Sequence, residues 1–400
     1  MIMRVLLNAT NLVKGGALQV AASLIAEIMQ DPQDWEWILA VSPAVLENVE
    51  RLCEHLPETY HIFPHSPARE RAARQQLSEL ASTVAADVVF TVFGPTYVKF
   101  PQPHLMGCAS PWVTNATRLA YNTLPTWRER WRMRLWSWYT GRWLRAADAW
   151  VTETEASRQG MCRRLGLPAR RIAVVPNTCA QPYFAQLRRT PYPSAKQTIR
   201  LVSFTAAYPH KSLDLIPQVA WELKRRWPER RFEFVLTLPA DDPTWESLLR
   251  EAHRLGVETM LVNRGPQPTA AGPTLYKHCH LAFIPTVLEC FTANYPEAMA
   301  MGLPIITSDL DFARSVCGEA AQYFAARDAS SAADAIIQVL TSPRLWLDLV
   351  ERGRNQLRLF PTPRQKYDMY RLLIQAVAAR QTFEDTALRA CLTNSSSRAA

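Results

Sequence analysis

The chain has 400 residues, of which 48% are hydrophobic and 20% charged, and its formal net charge is +9. This mix is typical of globular proteins with large cores, and the length favours two or three domains. The positive charge favours an anionic partner, but no recognisable nucleic-acid-binding module accompanies it, so nucleic acid is not expected as a ligand. No run of eighteen apolar residues occurs, which argues against a membrane-spanning helix. The eight cysteines lack C-x-x-C pairs and metal spacing, as expected of reduced thiols in a cytoplasmic protein.

The first half of the chain alternates predicted strands and helices. Apolar periodicity predicts strands at residues 3–8, 35–41, 87–92, 149–153 and 172–177, and helices at 18–29 and 154–165. Such alternation implies a parallel, doubly wound sheet. A proline-rich, polar passage between Gln181 and Gln197 follows and is typical of an interdomain linker.

Gly15 and Gly16 separate the first predicted strand from the first predicted helix. Glycine tolerates positive φ and lets backbone N–H groups approach a phosphate closely, so this pair is a candidate contact to a phosphorylated donor. Lys14 beside it is a candidate cation on the acceptor side. A plain turn is the alternative, since two adjacent glycines are also common in turns.

Residues 127–145 form a helix-length segment that is dense in tryptophan and arginine. Interfacial membrane helices use this combination, because amphipathic rings lie at headgroup depth and cations meet anionic lipid. The alternative is a core helix, because Trp131, Leu135, Trp138 and Arg142 fall near one helical stripe. The segment is thus a candidate contact with an anionic membrane surface.

The second half repeats the alternation. Strands are predicted at residues 199–204, 232–238, 259–262, 281–285 and 304–307, and helices at 213–226, 330–341 and 343–355. The residues after Gln381 lack apolar periodicity and are predicted to be disordered.

Two glutamates eight positions apart, Glu289 and Glu297, form the most informative motif. The strand at 281–285 precedes them, and Pro296 suits the first turn of a helix. Glu289 is therefore expected in the loop at the carboxyl end of the strand, with Glu297 at the helix start, where free N–H groups favour an anionic ligand. Ligands of open α/β sheets bind at such edges. The alternative is a solvated loop carboxylate followed by an ordinary first-turn glutamate.

Together with Gly302-Leu-Pro304 and Ser308-Asp309, this E-x7-E element resembles that of the retaining glycosyltransferases of family 4. The resemblance covers about residues 1–380. It implies the α/β GT-B fold, in which two Rossmann-like doubly wound parallel-sheet domains face a central cleft. Residues 1–182 would form the acceptor-binding domain, 183–198 a linker and 199–358 the nucleotide-sugar-binding domain. Residues 359–380 would form a C-terminal helix that crosses back to the first domain, and 381–400 a disordered tail.

The resemblance also implies roles for the motif residues. Glu297 would bind the ribose hydroxyls, and Glu289 would lie beside the donor sugar. The backbone of Cys290, Phe291 and Thr292 would contact sugar hydroxyls. Lys211 aligns with the family's pyrophosphate lysine, so Lys211 and Glu289 are the candidate catalytic residues.

The chain departs from the family pattern at two positions. Thr205-Ala206 replaces the usual Gly-Arg, so one phosphate cation is missing, and His210 or Arg264 is a candidate replacement. Arg264 and Gly265 match the loop that brackets the nucleotide base, although an ordinary Gly-Pro turn is the alternative. The first-domain histidine of the family is absent at Ala109, which leaves Ser110 as a candidate acceptor contact.

The implied function is that of a retaining hexosyltransferase-type enzyme that uses no metal or other cofactor. It would move a sugar from a nucleotide-sugar to a glycan or lipid-linked acceptor in cell-surface polysaccharide or glycolipid synthesis. The expected location is the cytoplasm, peripheral on the inner face of the membrane. The alternatives are a degenerate or non-catalytic sugar-nucleotide-binding or scaffold protein at the membrane, and another GT-B enzyme such as a nucleotide-sugar epimerase.

Overall fold

The structure is a computed structural model that describes residues 2–13, 15–31, 35–53 and 60–384. It divides into two compact units. The first comprises the described residues up to Asn115, Trp131–Asn177 and those from Pro361 onward, and the second comprises Ala116–Arg130 and Thr178–Phe360. The predicted tail beyond residue 384 lies outside the described residues.

The first unit is built on seven parallel strands in the order β3-β2-β1-β4-β5-β6-β7. The strands are β1 (Met3–Ala9), β2 (Trp35–Val41), β3 (Tyr60–Ile62), β4 (Val88–Thr91), β5 (His104–Cys108), β6 (Ala149–Thr152) and β7 (Ile172–Val174). The helices over this part of the chain are α1 (Gly16–Gln30), α2 (Pro43–Glu50), α3 (Arg71–Thr83), α4 (Pro111–Thr114), α5 (Arg118–Asn122), α6 (Trp127–Leu144) and α7 (Glu155–Leu165).

The second unit is built on six parallel strands in the order β10-β9-β8-β11-β12-β13. The strands are β8 (Ile199–Ser203), β9 (Phe232–Leu236), β10 (Leu261–Asn263), β11 (Leu281–Ile284), β12 (Ile305–Ser308) and β13 (Ala321–Phe324). The helices that follow α7 along the chain are α8 (Gln181–Phe184), α9 (Ile216–Arg226), α10 (Pro243–Arg254), α11 (Gly272–Lys277), α12 (Asn294–Ala300), α13 (Asp311–Cys317), α14 (Ala329–Thr341), α15 (Pro343–Leu357) and α16 (Pro363–Ala378).

The two parallel, doubly wound sheets confirm the predicted fold class. The predicted elements lie close to the observed ones, and β2 has both of its predicted bounds. The sequence prediction omitted several elements, among them β3, β13, α3 and α10. β3 has three residues and β13 reads AQYF, so neither has the apolar run that marks a buried strand.

Helix α16 belongs to the first unit, although the chain reaches it through the second. Tyr370, Leu373 and Ile374 of this helix are part of the same core as Leu7 and Phe90. The Tyr370 ring lies 5.1 Å from the Phe90 ring, centroid to centroid. The apolar face of α16 therefore covers part of the first sheet.

The predicted linker at 183–198 is hydrogen-bonded to the second unit. The backbone N–H of Arg188 donates to Ala300 O at 2.9 Å, and that of Thr190 donates to Gly302 O at 3.3 Å. Gly302 has φ +66°, and a Cβ there would lie 2.4 Å from Arg188 O. Only glycine fits this close approach, which explains why the turn after α12 carries one.

Each sheet has a point where successive strands run outward in opposite directions. In the first unit this switch lies between β1 and β4, and in the second between β8 and β11. The loops that leave the carboxyl ends of two such strands diverge and leave a crevice, which is where open α/β sheets bind ligands.

Candidate functional site

A pocket opens at the switch point of the second sheet. It encloses about 240 Å³, counting its open mouth. Its walls come from the carboxyl ends of β8 and β11 and the loops that follow, and its lining residues are Ser203, Phe204, Thr205, Lys211, Phe283, Ile284, Pro285, Thr286 and Asn294. Lys211 is one of the residues predicted from the sequence, and Glu289 and Glu297 contact this lining.

The two candidate catalytic residues form an ion pair. Lys211 Nζ donates to Glu289 Oε1, and the two side chains are only 14% and 10% exposed. Thr286 Oγ1 lies 3.3 Å from the same carboxylate oxygen and 3.1 Å from His210 O. The loop after β11 and the loop after β8 are thereby tied together around one carboxylate.

Glu297 is buried, with 3% of its surface exposed. Tyr276 OH donates to Glu297 Oε2 at 3.2 Å, and Asn294 Nδ2 donates to the same oxygen at 3.1 Å. Asn294 Nδ2 also lies 2.7 Å from Phe204 O, which connects α12 to the loop after β8. The alternative, a solvated loop carboxylate followed by an ordinary first-turn glutamate, therefore does not describe the buried Glu297.

The helix also begins earlier than predicted. α12 starts at Asn294, so Glu297 is its fourth residue, and the Glu297 N–H donates to Ala293 O at 2.9 Å. That N–H is consequently not one of the free donors expected at residues 296–297. Burial raises the pKa of Glu297 to about 7, against the opposing effect of hydrogen bonds from Asn294 and Tyr276 and of the Lys211 charge.

The candidate replacements for the missing phosphate cation lie in different places. His210 is next to Lys211, and burial lowers its pKa to about 4, more than Glu289 raises it. The imidazole is therefore neutral near pH 7 and supplies hydrogen bonds rather than charge. Arg264 is exposed and follows β10, which is separated from β8 by β9. Gly265, with φ +69°, donates its N–H to Asn263 Oδ1 at 3.2 Å.

The loop between the two glutamates is mostly buried. Cys290 and Thr292 are buried, and Thr292 Oγ1 lies 3.2 Å from Asn294 Oδ1. Phe291 packs edge-on against Phe360 at 5.8 Å. The side chains of this loop thus point into the protein, which leaves its backbone N–H and C=O groups to contact a ligand.

In the first unit the candidate residues lie at the carboxyl ends of two strands. Gly15 precedes α1 with φ 79°, and a Cβ on Gly16 would meet open space. Ser110 follows β5, and its carbonyl oxygen accepts from the N–H groups of Val113 and Thr114. β4 separates β1 from β5 in the sheet. Lys14 lies outside the described residues.

His104 is the first residue of β5 and is buried. Its Nε2 lies 2.9 Å from Thr91 Oγ1 inside the sheet. Because it lies at the amino end of its strand, it does not replace the histidine missing at Ala109.

Sequence reasoning missed a buried polar cluster in the first unit. Lys366 of α16 is 7% exposed and donates to Asn177 Oδ1 at 2.7 Å. Glu153, which directly follows β6, is also buried, and its charge opposes the lowering of the Lys366 pKa to about 8 by burial. Tyr276 and Asn294 were also missed as partners of Glu297. The contacts of Lys366 and Tyr276 leave no spacing signal, because each joins residues that are distant in the sequence. Asn294, by contrast, lies only three residues before Glu297 on the same helix.

Asp309 and Asp311 have the D-x-D spacing found in many metal-dependent transferases. Asp309, however, forms a two-pronged ion pair with Arg314, whose Nη2 lies 2.8 Å from Asp309 Oδ2. Among the described residues, no group of three His, Cys, Asp or Glu side chains has the geometry of a metal site.

Helix α6 presents most of its aromatic side chains to solvent. Trp127, Trp131, Leu135 and Trp138 are 66%, 56%, 64% and 68% exposed. The alternative that this stripe packs in the core is therefore wrong. Over the part of the chain that the structure describes, no helix has the length and hydropathy to cross a membrane.

Two family models match the chain. "Glycosyl transferases group 1" matches residues 187–356, and "Glycosyltransferase Family 4" matches residues 15–179. A search of curated protein sequences finds no match.

Solved structures of similar fold are distant in sequence. Sucrose-phosphate synthase from Thermosynechococcus elongatus is 16% identical with a TM-score of 0.67, over 95% of this chain and 100% of that one. WaaG, a glycosyltransferase involved in lipopolysaccharide biosynthesis, is 12% identical with a TM-score of 0.66, over 92% and 99%. TarM from S. aureus, solved with Fondaparinux, alpha-GlcNAc-glycerol and UDP, is 11% identical with a TM-score of 0.57. That match covers 76% of this chain and only 59% of TarM.

At these identities the structures establish the shared fold, and the family models cover most of both units. The chain belongs to the glycosyltransferases of the group 1/family 4 type, which are sugar-transferring enzymes with the GT-B fold.

Proposed function

We propose that this enzyme transfers a hexosyl group from a nucleotide-sugar to an acceptor with retention of configuration and without a metal. The observation that carries the proposal is the convergence of Lys211, Glu289 and Glu297 around one pocket at the carboxyl ends of β8 and β11. Glycosyl transfer needs a place for the ribose, a place for the sugar and a positive charge for the leaving phosphate. This pocket has a candidate for each.

Each residue has a role set by its position. Glu297, once ionised, accepts hydrogen bonds from the ribose hydroxyls. Glu289 lies beside the sugar and holds Lys211, whose ammonium stabilises the charge that develops on the departing diphosphate. His210, Arg264 and Gly265 contribute to donor binding, as do the backbone groups of residues 290–292. The departing phosphate takes the acceptor proton as the acceptor attacks the same face of the sugar, so neither glutamate acts as a nucleophile.

In the first unit, Gly15 and Gly16 contact the phosphates of the donor, whereas Lys14 and Ser110 lie on the acceptor side. We propose a glycan or lipid-linked acceptor in cell-surface polysaccharide or glycolipid synthesis. TarM binds UDP and a glycosylated glycerol, and WaaG acts in lipopolysaccharide biosynthesis, which supports this class of substrates. The enzyme is placed in the cytoplasm, peripheral on the inner face of the membrane, with residues 127–145 as its contact.

A thermal-shift screen with UDP, GDP, ADP and their sugar conjugates tests donor binding. A ligand at a hundred times its dissociation constant stabilises a protein by about 2.7 kcal/mol, which is a clear shift. We expect one base to stabilise the parent and to stabilise the Glu297→Gln variant much less at the same concentration. No shift with any nucleotide or conjugate would overturn the proposal.

The reaction itself is tested with the nucleotide-sugar that binds. We expect slow release of sugar in water, transfer with the donor's anomeric configuration preserved, and the same rate after EDTA treatment. An inverted product would exclude retention, and loss of activity with EDTA that returns with Mg²⁺ would exclude the metal-free route.

A second candidate is a degenerate family member that binds sugar nucleotides without turnover. Ala206 and Ala109, at positions where the family usually carries functional side chains, favour it. Binding without hydrolysis or transfer in the two assays above would support this candidate instead.

A further inference from the structure

Helix α6 has one face built for an apolar, anionic environment. Trp127, Trp131, Leu135 and Trp138 follow one another at intervals of four, four and three residues, so they form one stripe along the helix. More than half of each side chain is exposed. Trp136 and Tyr139, at 44% and 41%, extend the exposed aromatic surface beside the stripe. Exposed apolar patches of this kind mark interaction sites in soluble proteins.

The opposite face of the helix holds it in place. Thr140, Gly141 and Leu144 are buried. A Cβ on Gly141 would lie 2.9 Å from a methyl carbon of Leu165, so the helix packs closely against α7. Trp143 is the least exposed tryptophan of α6, and its ring lies 5.9 Å from that of Tyr97. The exposed stripe therefore cannot turn inward without breaking this packing.

The arginines of residues 127–145 differ in exposure and in hydrogen bonding. Arg128, Arg132, Arg134 and Arg142 are exposed, whereas Arg130 is half-buried and donates to Leu124 O at 3.2 Å. Arg145, just beyond the helix, donates to Leu165 O at 2.8 Å. Arg145 is exposed as well but is held by this bond, so Arg128, Arg132, Arg134 and Arg142 are the exposed arginines within α6 itself.

Glu129, the single acidic residue of α6, is bonded to Thr126 and not to these exposed arginines. Glu129 is half-buried, and its Oε2 accepts from the backbone N–H of Thr126 at 3.0 Å and from the Thr126 hydroxyl at 3.1 Å. Arg128 and Arg134 lie over the rings of Trp127 and Trp131, each at 5.6 Å. Cations are therefore held beside the aromatic stripe, at the depth where lipid phosphates lie above acyl chains.

We infer that α6 lies flat in the surface of an anionic bilayer, with the stripe of Trp127, Trp131, Leu135 and Trp138 inserted and Arg128, Arg132, Arg134 and Arg142 on lipid phosphates. This inference rests on the proposed peripheral membrane location and specifies its contact surface and lipid chemistry. Eighteen residues span about 27 Å, enough for several headgroups in a row. Binding is reversible and salt-sensitive, because it combines partial insertion with screened charge.

Co-sedimentation of the full chain with vesicles tests the inference. We expect binding to vesicles of phosphatidylglycerol and phosphatidylcholine, weaker binding in high salt, and little binding to pure phosphatidylcholine. The Arg128→Gln/Arg132→Gln/Arg142→Gln variant should bind anionic vesicles about a hundredfold more weakly, from about fivefold per arginine. The Trp131→Ala/Trp138→Ala variant should lose at least tenfold and should show less quenching of its fluorescence by brominated lipid.

The second unit offers a matched control. Trp221 on α9 is 38% exposed and lies under Arg225 at 5.4 Å, which repeats the tryptophan and arginine pairing away from α6. Trp221→Ala/Arg225→Gln should bind vesicles as the parent does. Melting temperatures and circular dichroism of all variants establish that the fold is kept.

Two results would overturn the inference. One is unchanged vesicle binding by both α6 variants. The other is a parent dimer, seen by sedimentation velocity, that the tryptophan variant breaks while vesicle binding persists, because the face would then be an interface between copies. Vesicle binding requires no donor, so the outcome is independent of the nucleotide screen: a protein that binds vesicles but no nucleotide refutes the proposed activity alone.

Discussion

At the scale of single residues, Glu297 links the pH of the solution to donor binding. Its carboxyl is buried, and burial raises its pKa to about 7 from an ordinary value of 4.5. The folded chain holds this proton more tightly than the unfolded chain, so stability from this group falls as pH rises from about 4.5 to 7. Ribose hydroxyls, by contrast, need the ionised acceptor. We therefore expect donor affinity to increase from pH 6 to pH 8.

Isothermal titration with the bound nucleotide across that range measures the effect. Glu297→Gln keeps the shape but removes the charge, so it should weaken binding by about 1.5–3 kcal/mol and abolish the pH dependence. Glu297→Ala should also destabilise the fold, since the Tyr276 hydroxyl loses its partner. Equal pH profiles for the parent and the glutamine variant would refute the role of Glu297.

Lys211 should matter more for turnover than for nucleoside binding. Its charge acts where diphosphate charge develops, so Lys211→Met should lower kcat while leaving the affinity for the nucleoside nearly unchanged. The control is Lys211→Met/Glu289→Gln, which removes both charges of the nearly buried pair and restores the stability lost when Glu289 is left alone. Equal losses for nucleoside and nucleotide-sugar would show that Lys211 acts only structurally.

Ser212 carries a local strain that glycine would relieve. It is fully buried with φ 53°, and its hydroxyl has no hydrogen-bond partner among the described residues. Ser212→Gly should raise stability by roughly 1 kcal/mol in urea unfolding, because glycine adopts this conformation freely. Ser212→Ala removes the orphaned hydroxyl but keeps the strained φ, so it separates the two contributions; a larger gain from alanine than from glycine would contradict the argument.

The positions of Glu289, Glu297 and Lys211 could be predicted because strand, loop and helix signals are local. The surroundings of Glu297 could not, because Tyr276 lies 21 residues away in another helix and reaches it only in the folded chain. Burial has the same origin: an acid in the first turn of a helix is usually solvated, and here neighbouring elements cover it. The neutral state of His210 near pH 7 follows from burial as well.

At the scale of elements, one carboxylate fastens α16 to the first unit. Asp31, just after α1, accepts from Arg364 Nη2 at 2.8 Å, Arg371 Nη1 at 2.8 Å and Tyr367 OH at 2.9 Å. Burial would raise the pKa of Asp31, but the hydrogen bonds from Arg364 and Tyr367 outweigh it and lower the pKa. The stabilisation is thus complete above the ordinary aspartate pKa and is lost as pH falls through the lowered value.

Asp31→Asn should therefore cost about 2 kcal/mol at pH 7 and progressively less on acidification below about pH 4. Urea unfolding between pH 3 and pH 7 measures both quantities. Asp311→Asn, at an exposed site in the second unit, is the control and should leave stability unchanged. A constant difference between parent and Asp31→Asn across the range would mean that charge is not the source of the effect.

Element prediction succeeded where apolar runs were long and failed where tertiary contacts decide. α16 was expected only from the family resemblance, and it begins at Pro363. The grouping of Ala116–Arg130 with the second unit has no sequence signal. It depends on contacts that form only in the folded chain. The aromatic stripe of α6 reads equally as core or surface from spacing alone, and only its position in the fold separates the two.

At the scale of the whole molecule, the chain supplies the first unit in separated pieces. Seven residues of α16 belong to the core of the first unit, namely Tyr367, Met369, Tyr370, Leu373, Ile374, Ala376 and Val377. The main segment of the second unit, Thr178–Phe360, is continuous and lies between those pieces. A chain shortened after Phe360 keeps this segment but loses part of the first core.

During synthesis on the ribosome, the first unit begins to emerge before the second, but its core is complete only after α16 has been made. We expect the face of the first sheet that α16 covers to stay exposed until α16 has left the exit tunnel, whereas Thr178–Phe360 folds earlier. Nascent chains stalled when residue 360 has just left the exit tunnel should show protease cleavage within residues 1–177 and protection beyond 178, and release of the full chain should protect both. Early protection of residues 1–177 would show that the first sheet folds without α16. The time needed to translate residues 178–378 should thus set how long this uncovered apolar face persists.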